Sequence, residues 1–200
     1  MTLAINKIIN SLLEIILFSL LPFLFWYFSA RKQESFTDWI GLKKIKGGKK
    51  TALAIIIVTT FYLLISLILL NSLKNIENAT TEFQGLRFAA LPAIFIYAVF
   101  NTAFPEEILF RGFILKRLSN KLGFNKANFI QGLLFGLLHG VMFFPLVGNL
   151  KTILIILLTS LAAFAMGYIN EKLSGGSIIP SWIIHAFSNF IAGIYLAFYI

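Results

Sequence analysis

Cysteine is absent from the chain, which removes disulfides, thiolate metal ligands and a thiol nucleophile together. Charge is scarce: only 12% of the 200 residues are Asp, Glu, Lys or Arg, about half the share found in soluble domains. Acids are scarcest, eight against seventeen Lys and Arg. Asp38 is the sole aspartate and sits in a basic loop, so a catalytic pair of aspartates sharing one proton is excluded. No His-Glu-x-x-His zinc helix occurs, and no serine stands in a nucleophile motif, although Ser181 and Ser188 lie close to His185 in sequence. There is no internal repeat of the kind found in transporters built from matched halves, and no stretch with the mixed polarity of a soluble domain.

What is present is hydrophobic: 58% of residues, with a mean hydropathy of +0.87. About 20 apolar residues cross a bilayer as a helix, and six stretches come close, at 8–30, 51–70, 88–104, 127–144, 152–169 and 178–200. The segment 105–121 is amphipathic and basic at its end, which predicts a seventh, partly embedded helix. The expectation is an all-α polytopic membrane bundle forming one domain over residues 1–200. The first span is expected to be retained, because its apolar run is too long for a signal peptide and Arg31 and Lys32 follow the run.

Positive charge orients the bundle, since Lys and Arg accumulate in cytoplasmic loops. Arg31, Lys32, Lys43, Lys44, Lys46, Lys49 and Lys50 fill the first loop, and Lys116, Arg117, Lys121 and Lys126 follow the amphipathic segment. Six crossings put both groups on one side, and leave Lys7, Lys74, Arg87 and Lys151 opposite with Glu77 and Glu82. Both termini are then expected outside, in a multi-pass protein of the cell membrane. The basic residues border apolar runs and form no aromatic-interleaved face, so the partner they imply is anionic lipid and not nucleic acid.

Ionisable side chains at membrane depth cost at least ~2.5–3.5 kcal/mol each on insertion scales, so each needs a reason. Glu14 lies near a span end and fits an interfacial role. Pro105, Glu106, Glu107 and Arg111 read as the opening of a helix, with proline in its first turn and acids at its positive pole. Glu107 and Arg111 are four apart and pair on one face; Glu106 points about 100° away and has no partner at helical spacing. Both histidines of the chain lie in spans, His139 within Gly132-Leu-Leu-Phe-Gly-Leu-Leu-His-Gly140 and His185 within Pro180-Ser-Trp-Ile-Ile-His-Ala-Phe-Ser-Asn189. His185 and Asn189 share a helix face. The glycines at 132, 136 and 140 allow a second helix to pack closely.

These groups suit water activation. A glutamate in a low-dielectric pocket serves as general base, with His139 holding the same water, and His185 and Asn189 can donate hydrogen bonds to the oxyanion formed on a carbonyl. A two-histidine, one-carboxylate zinc site from Glu106, His139 and His185 is also open; the metal-free reading is preferred because the carboxylate is worth more as a base than as a ligand. The rivals are a non-catalytic immunity or scaffold protein that keeps the motif for packing, and a proton-coupled transporter.

The pattern Glu106-Glu107-x-x-x-Arg111, Phe135-x-x-x-His139 and His185-x-x-x-Asn189, with Phe104-Pro-Glu-Glu-Ile-Leu-Phe-Arg-Gly-Phe113 around the first motif, resembles the CPBP family of CAAX prenyl endopeptidases and Abi-type intramembrane proteases. The resemblance covers residues 90–190. It implies a helical catalytic core opening towards the cytoplasm, with Glu106 and His139 positioning the water and His185 and Asn189 serving the oxyanion. Glu107, Arg111 and Phe135 would support the site or contact substrate. Family members have been described both as metalloproteases and as metal-independent glutamate proteases. Bacterial relatives often act on peptides or proteins that are not prenylated, several in bacteriocin immunity.

Overall fold

A computed structural model describes residues 2–72 and 80–198. Lys74 and Glu77 of the expected outer loop, and the last two residues of the sixth stretch, lie outside the described residues. Among the described residues there is no strand, as an all-α membrane bundle requires. The main elements are α1 (Thr2–Ser29), α2 (Phe36–Ile40), α3 (Lys49–Ser72), α4 (Arg87–Leu122), α5 (Phe124–Tyr168) and α6 (Ile179–Phe198). Five described helical segments are long and apolar enough to cross a membrane. Their outer faces suit lipid: Leu12, Leu13, Ile16 and Leu17 on α1 are 58–65% exposed.

The longest segment, Phe124–Leu173, is a hairpin. Gly148 has φ 74° and ψ 176°, a conformation essentially reserved for glycine, and it breaks the helix into two arms. The glycine series of the first arm packs against the second: Gly132 on Ser160 and Phe164, Gly136 on Ser160 and Ile156, Gly140 on Ile156 and Thr152. As one partner's number rises the other's falls, so the arms are antiparallel and Gly148 is their apex. Near the open end, Asn128 Nδ2 donates to Phe164 O (3.0 Å) and Gln131 Nε2 to Ala163 O (3.0 Å), cross-helix bonds that hold register in an apolar solvent. With this turn the bundle has the six crossings expected from hydropathy.

The seventh helix is not separate. Residues 87–122 run as one helical segment with Pro105 inside it, and not at the first turn of a new helix. Proline removes an N–H and crowds the preceding turn; here the helix widens into π geometry on both sides, over Tyr97–Ala103 and Ile108–Leu115. Carbonyls of the first widened turn find other donors: Trp182 Nε1–H reaches Val99 O (2.9 Å) and Thr102 Oγ1–H reaches Tyr97 O (3.2 Å). At 1.5 Å per residue α4 approaches 54 Å, well beyond the ~30 Å hydrocarbon core, which leaves its basic end, Lys116–Leu122, free to lie at the headgroups.

The lysine-rich end of the bundle is tied shut. The short helix α2 is capped by Ser35, whose Oγ accepts from Asp38 N (3.2 Å), and ends at Gly41 with φ 84°. It carries Trp39 and Ile40, 2% and 1% exposed, into a cluster with Ile108 and Ile178. Ile178 N donates to Gly41 O (2.9 Å), Lys46 N to Ser174 O (3.1 Å) and Ser177 Oγ to Lys43 O (2.6 Å). Lys116 Nζ completes the seam, reaching Glu171 Oε1 (2.6 Å) and Gly176 O (2.7 Å).

Candidate active site

One cavity of about 360 Å³ lies within the bundle, and Glu106, His139, His185 and Asn189 all line it. Side chains from three separate sequence segments thus meet at one cavity. The π turns on either side of Phe104–Glu107 set the facing of its two acids; such widened turns recur at functional sites. Glu106 looks into the cavity with its side chain 17% exposed, whereas Glu107 is fully buried.

Glu107 is the structural hub. Its Oε1 accepts from Arg111 Nη1 at 2.9 Å and from His185 Nδ1 at 3.1 Å. The Arg111 pair matches the i, i+4 expectation; the bond to His185 has no sequence spacing to announce it, since 78 residues separate the partners. A carboxylate can only accept, so His185 carries its proton on Nδ1 and turns Nε2 towards Glu106, 3.9 Å from Oε2. His139 is held similarly: Nδ1 lies 2.9 Å from Phe135 O, a carbonyl that also only accepts, and Nε2 is left for the cavity.

Phe135, completely buried, braces the site. Its ring centroid stands 4.4 Å from that of His139 and 5.9 Å from that of His185, and the Arg111 guanidinium lies over its face at 4.4 Å. Phe110 meets it edge-on. Tyr62 also meets His185 in an edge-on contact, with ring centroids 6.1 Å apart.

Asn189 is positioned by a residue that sequence reasoning passed over. Its Nδ2 donates to Thr102 Oγ1 (2.8 Å), and because the Thr102 hydroxyl proton goes to the Tyr97 carbonyl, the Thr102 oxygen must accept. The amide nitrogen therefore faces Thr102, and its second hydrogen is available to a ligand. Thr102 lies one turn before Glu106, a polar residue at i−4 from the unpaired acid in an apolar run, and that spacing was the available signal.

The two serines near His185 are engaged elsewhere. Ser181 Oγ donates to Ile178 O (3.0 Å) and receives Asn170 Nδ2 (2.6 Å), while Ser188 Oγ donates to Ile184 O (2.8 Å); both are fully buried and neither lines the cavity. Among the described residues no three His, Asp or Glu side chains gather closely enough to hold a metal ion. Glu106, His139 and His185 share the cavity without forming such a cluster.

A family model described as type II CAAX prenyl endopeptidase Rce1-like matches residues 87–191. No curated protein matches the chain, and no solved structure does. The matched segment is more than half of the sequence and contains every residue of the site described above except Tyr62. The chain belongs to the type II CAAX prenyl endopeptidase Rce1-like family.

Proposed function

We propose that this protein is an intramembrane endopeptidase that hydrolyses a peptide bond with water activated by Glu106. The observation that carries the reading is the meeting of Glu106, His139, His185 and Asn189 around one cavity within the bundle. The Glu106 carboxylate takes a proton from water, and the water oxygen adds to the substrate carbonyl carbon. His139 Nε2, its other nitrogen committed to Phe135 O, holds the second hydrogen of that water. Charge then grows on the carbonyl oxygen. The free amide hydrogen of Asn189 and, when His185 is doubly protonated, its Nε2–H stabilise this oxyanion. Collapse of the tetrahedral adduct breaks the C–N bond, and Glu106 returns its proton to the leaving amine.

Glu107 and Arg111 act through His185 and are positioning residues. Phe135 fixes both imidazole planes. No step in this scheme requires a metal. The protein resides in the cell membrane, with the loops at 31–50 and 116–126 on the cytoplasmic side by their charge. Its substrate is a peptide or protein, prenylated or not.

The test is cleavage of a peptide library by the protein reconstituted in lipid. Glu106→Gln keeps the shape and removes the base, so it should lower kcat by about 10²–10⁴-fold, and His139→Ala should do likewise. Loss of activity on chelation with recovery on adding zinc would replace the metal-free scheme. Full biological activity in Glu106→Gln would favour a binding or immunity role over hydrolysis.

A further inference from the structure

The cavity draws on a part of the chain that carries none of the site motifs. Tyr62, Ile65 and Ser66 of α3 line it, and at i, i+3 and i+4 they form one inward stripe of that helix. The stripe is well buried, with Tyr62 6% and Ile65 3% exposed, whereas the flanking Phe61 and Leu64 are 40% and 56% exposed. α3 precedes residues 87–191, so the family match does not include this wall.

Within the stripe, Tyr62 differs in its chemistry. Short hydroxyls around the cavity are satisfied by carbonyls of their own helix: Thr102 Oγ1 donates to Tyr97 O at 3.2 Å and Thr159 Oγ1 to Ile155 O at 2.6 Å, the return bond open to Ser and Thr in helices. A phenol hydroxyl sits too far from its own backbone to make that bond. Among the described residues nothing hydrogen-bonds Tyr62 Oη, although a buried tyrosine ordinarily finds a partner. Its ring meets the His185 imidazole edge-on and lines the cavity, so the hydroxyl is addressed to what the cavity holds. Tyr97, also on the wall, is placed less well: it lies nine residues before Glu106, roughly 13 Å along the helix, and Lys7 Nζ sits over its ring at 4.9 Å.

We infer that Tyr62 is a further catalytic residue, its Oη–H donating to the substrate carbonyl oxygen as negative charge collects there. The assignment rests on the hydrolase reading, in which Asn189 supplies one donor to that oxygen. The other, His185 Nε2–H, exists only while His185 is doubly protonated, because the single proton of the neutral ring is committed at Nδ1 to Glu107. A phenol donates whatever the state of the imidazole, so Tyr62 keeps two donors on the oxyanion when His185 is neutral. The phenol transfers no proton. Its hydrogen bond tightens as the carbonyl polarises and relaxes when the adduct collapses, and Glu106 still carries the proton from water to the leaving amine.

The test compares Tyr62→Phe with the wild-type protein, both reconstituted in lipid, on a library peptide that the wild type cleaves. The variant keeps the ring against His185 and removes only the hydroxyl, whose loss breaks no bond within the protein, so Tm should not move. kcat should fall by about 10²-fold or more, the loss expected for one oxyanion donor, with KM little changed. An uncleavable phosphinic analogue of the same peptide, whose tetrahedral centre carries negative charge, should bind the variant more weakly by about the same factor. A Tyr62→Phe protein with wild-type kcat, one altered in KM alone, or one that binds the phosphinic analogue as the wild type does overturns the assignment and leaves the hydrolase reading standing. So does a lowered Tm, which would give the hydroxyl a structural partner. Failure of the wild-type protein to cleave any member of the library removes the hydrolase reading, and the role of Tyr62 with it.

Discussion

Substituting Arg111 by Met isolates the electrostatic core of the site. Arg111 and Glu107 are both fully buried and meet at 2.9 Å; a methionine of similar length removes the cation and leaves the carboxylate. Breaking a buried pair from one side costs about 3–5 kcal/mol, and the contact with the Phe135 face at 4.4 Å adds about 1–2 kcal/mol. His185 still donates to Glu107, which holds the expected total near the lower figure, about 3–4 kcal/mol. Removing both charges in Glu107→Leu/Arg111→Met takes away the uncompensated carboxylate and leaves His185 Nδ1–H without an acceptor, an expected cost of about 1–3 kcal/mol. The double variant is therefore more stable than the single one, yet inactive, because His185 has lost its anchor. Equilibrium unfolding in mixed micelles, followed by the fluorescence of Trp182 near the site, measures both. An Arg111→Met cost below about 1 kcal/mol, or a double variant less stable than Arg111→Met, would refute the claim that this pair is a desolvated charge balance.

Thr102→Val should lower kcat by about tenfold or more with KM little changed, approaching the loss of an oxyanion donor; Thr102→Ser should restore it, and a KM effect without a kcat effect would remove Thr102 from the positioning of Asn189. Gly136→Leu forces a side chain against Ser160 Oγ and Ile156 O and should destabilise by at least about 1–3 kcal/mol, read as a lower Tm in detergent. Gly148→Ala meets no atom within 4 Å, but its φ of 74° should still cost about 1–3 kcal/mol; an unchanged Tm would mean that the apex does not need this conformation. Phe135→Ala opens a void between both histidines and should cost about 3–5 kcal/mol, with activity falling further than Tm alone explains.

Much of the bundle is legible in the sequence because the bilayer allows few solutions: an apolar run long enough to cross must be helical, and a charge within it needs a reason. His139, His185 and Glu106 stood out on those grounds and Asn189 by its helical spacing from His185, and all four line one cavity. Pro105 was misleading because proline at the first turn of a new helix and proline inside a widened one look alike in sequence. The bond between Glu107 and His185 had no periodicity to betray it, and Arg111 at i+4 already accounted for the acid. Thr102 resembled an ordinary hydroxyl returning a bond to its own helix, which in part it is. The reversal between the stretches at 127–144 and 152–169 was legible as a gap in hydropathy, but not that Gly148 alone makes it, and the glycines at 132, 136 and 140 declared a close helix neighbour without saying that it was the next arm.

The seam of Lys116, Gly176 and Gly41 at the lysine-rich end of the bundle has a kinetic consequence. Under the hydrolase reading, a cavity closed at that end is not threaded through it, so a long polypeptide reaches Glu106 as a free end or as a bent loop. Both fragments must back out the way they came before another chain is admitted. Turnover on long chains is then governed by how quickly the severed pieces withdraw, and short peptides should outpace extended ones of the same sequence.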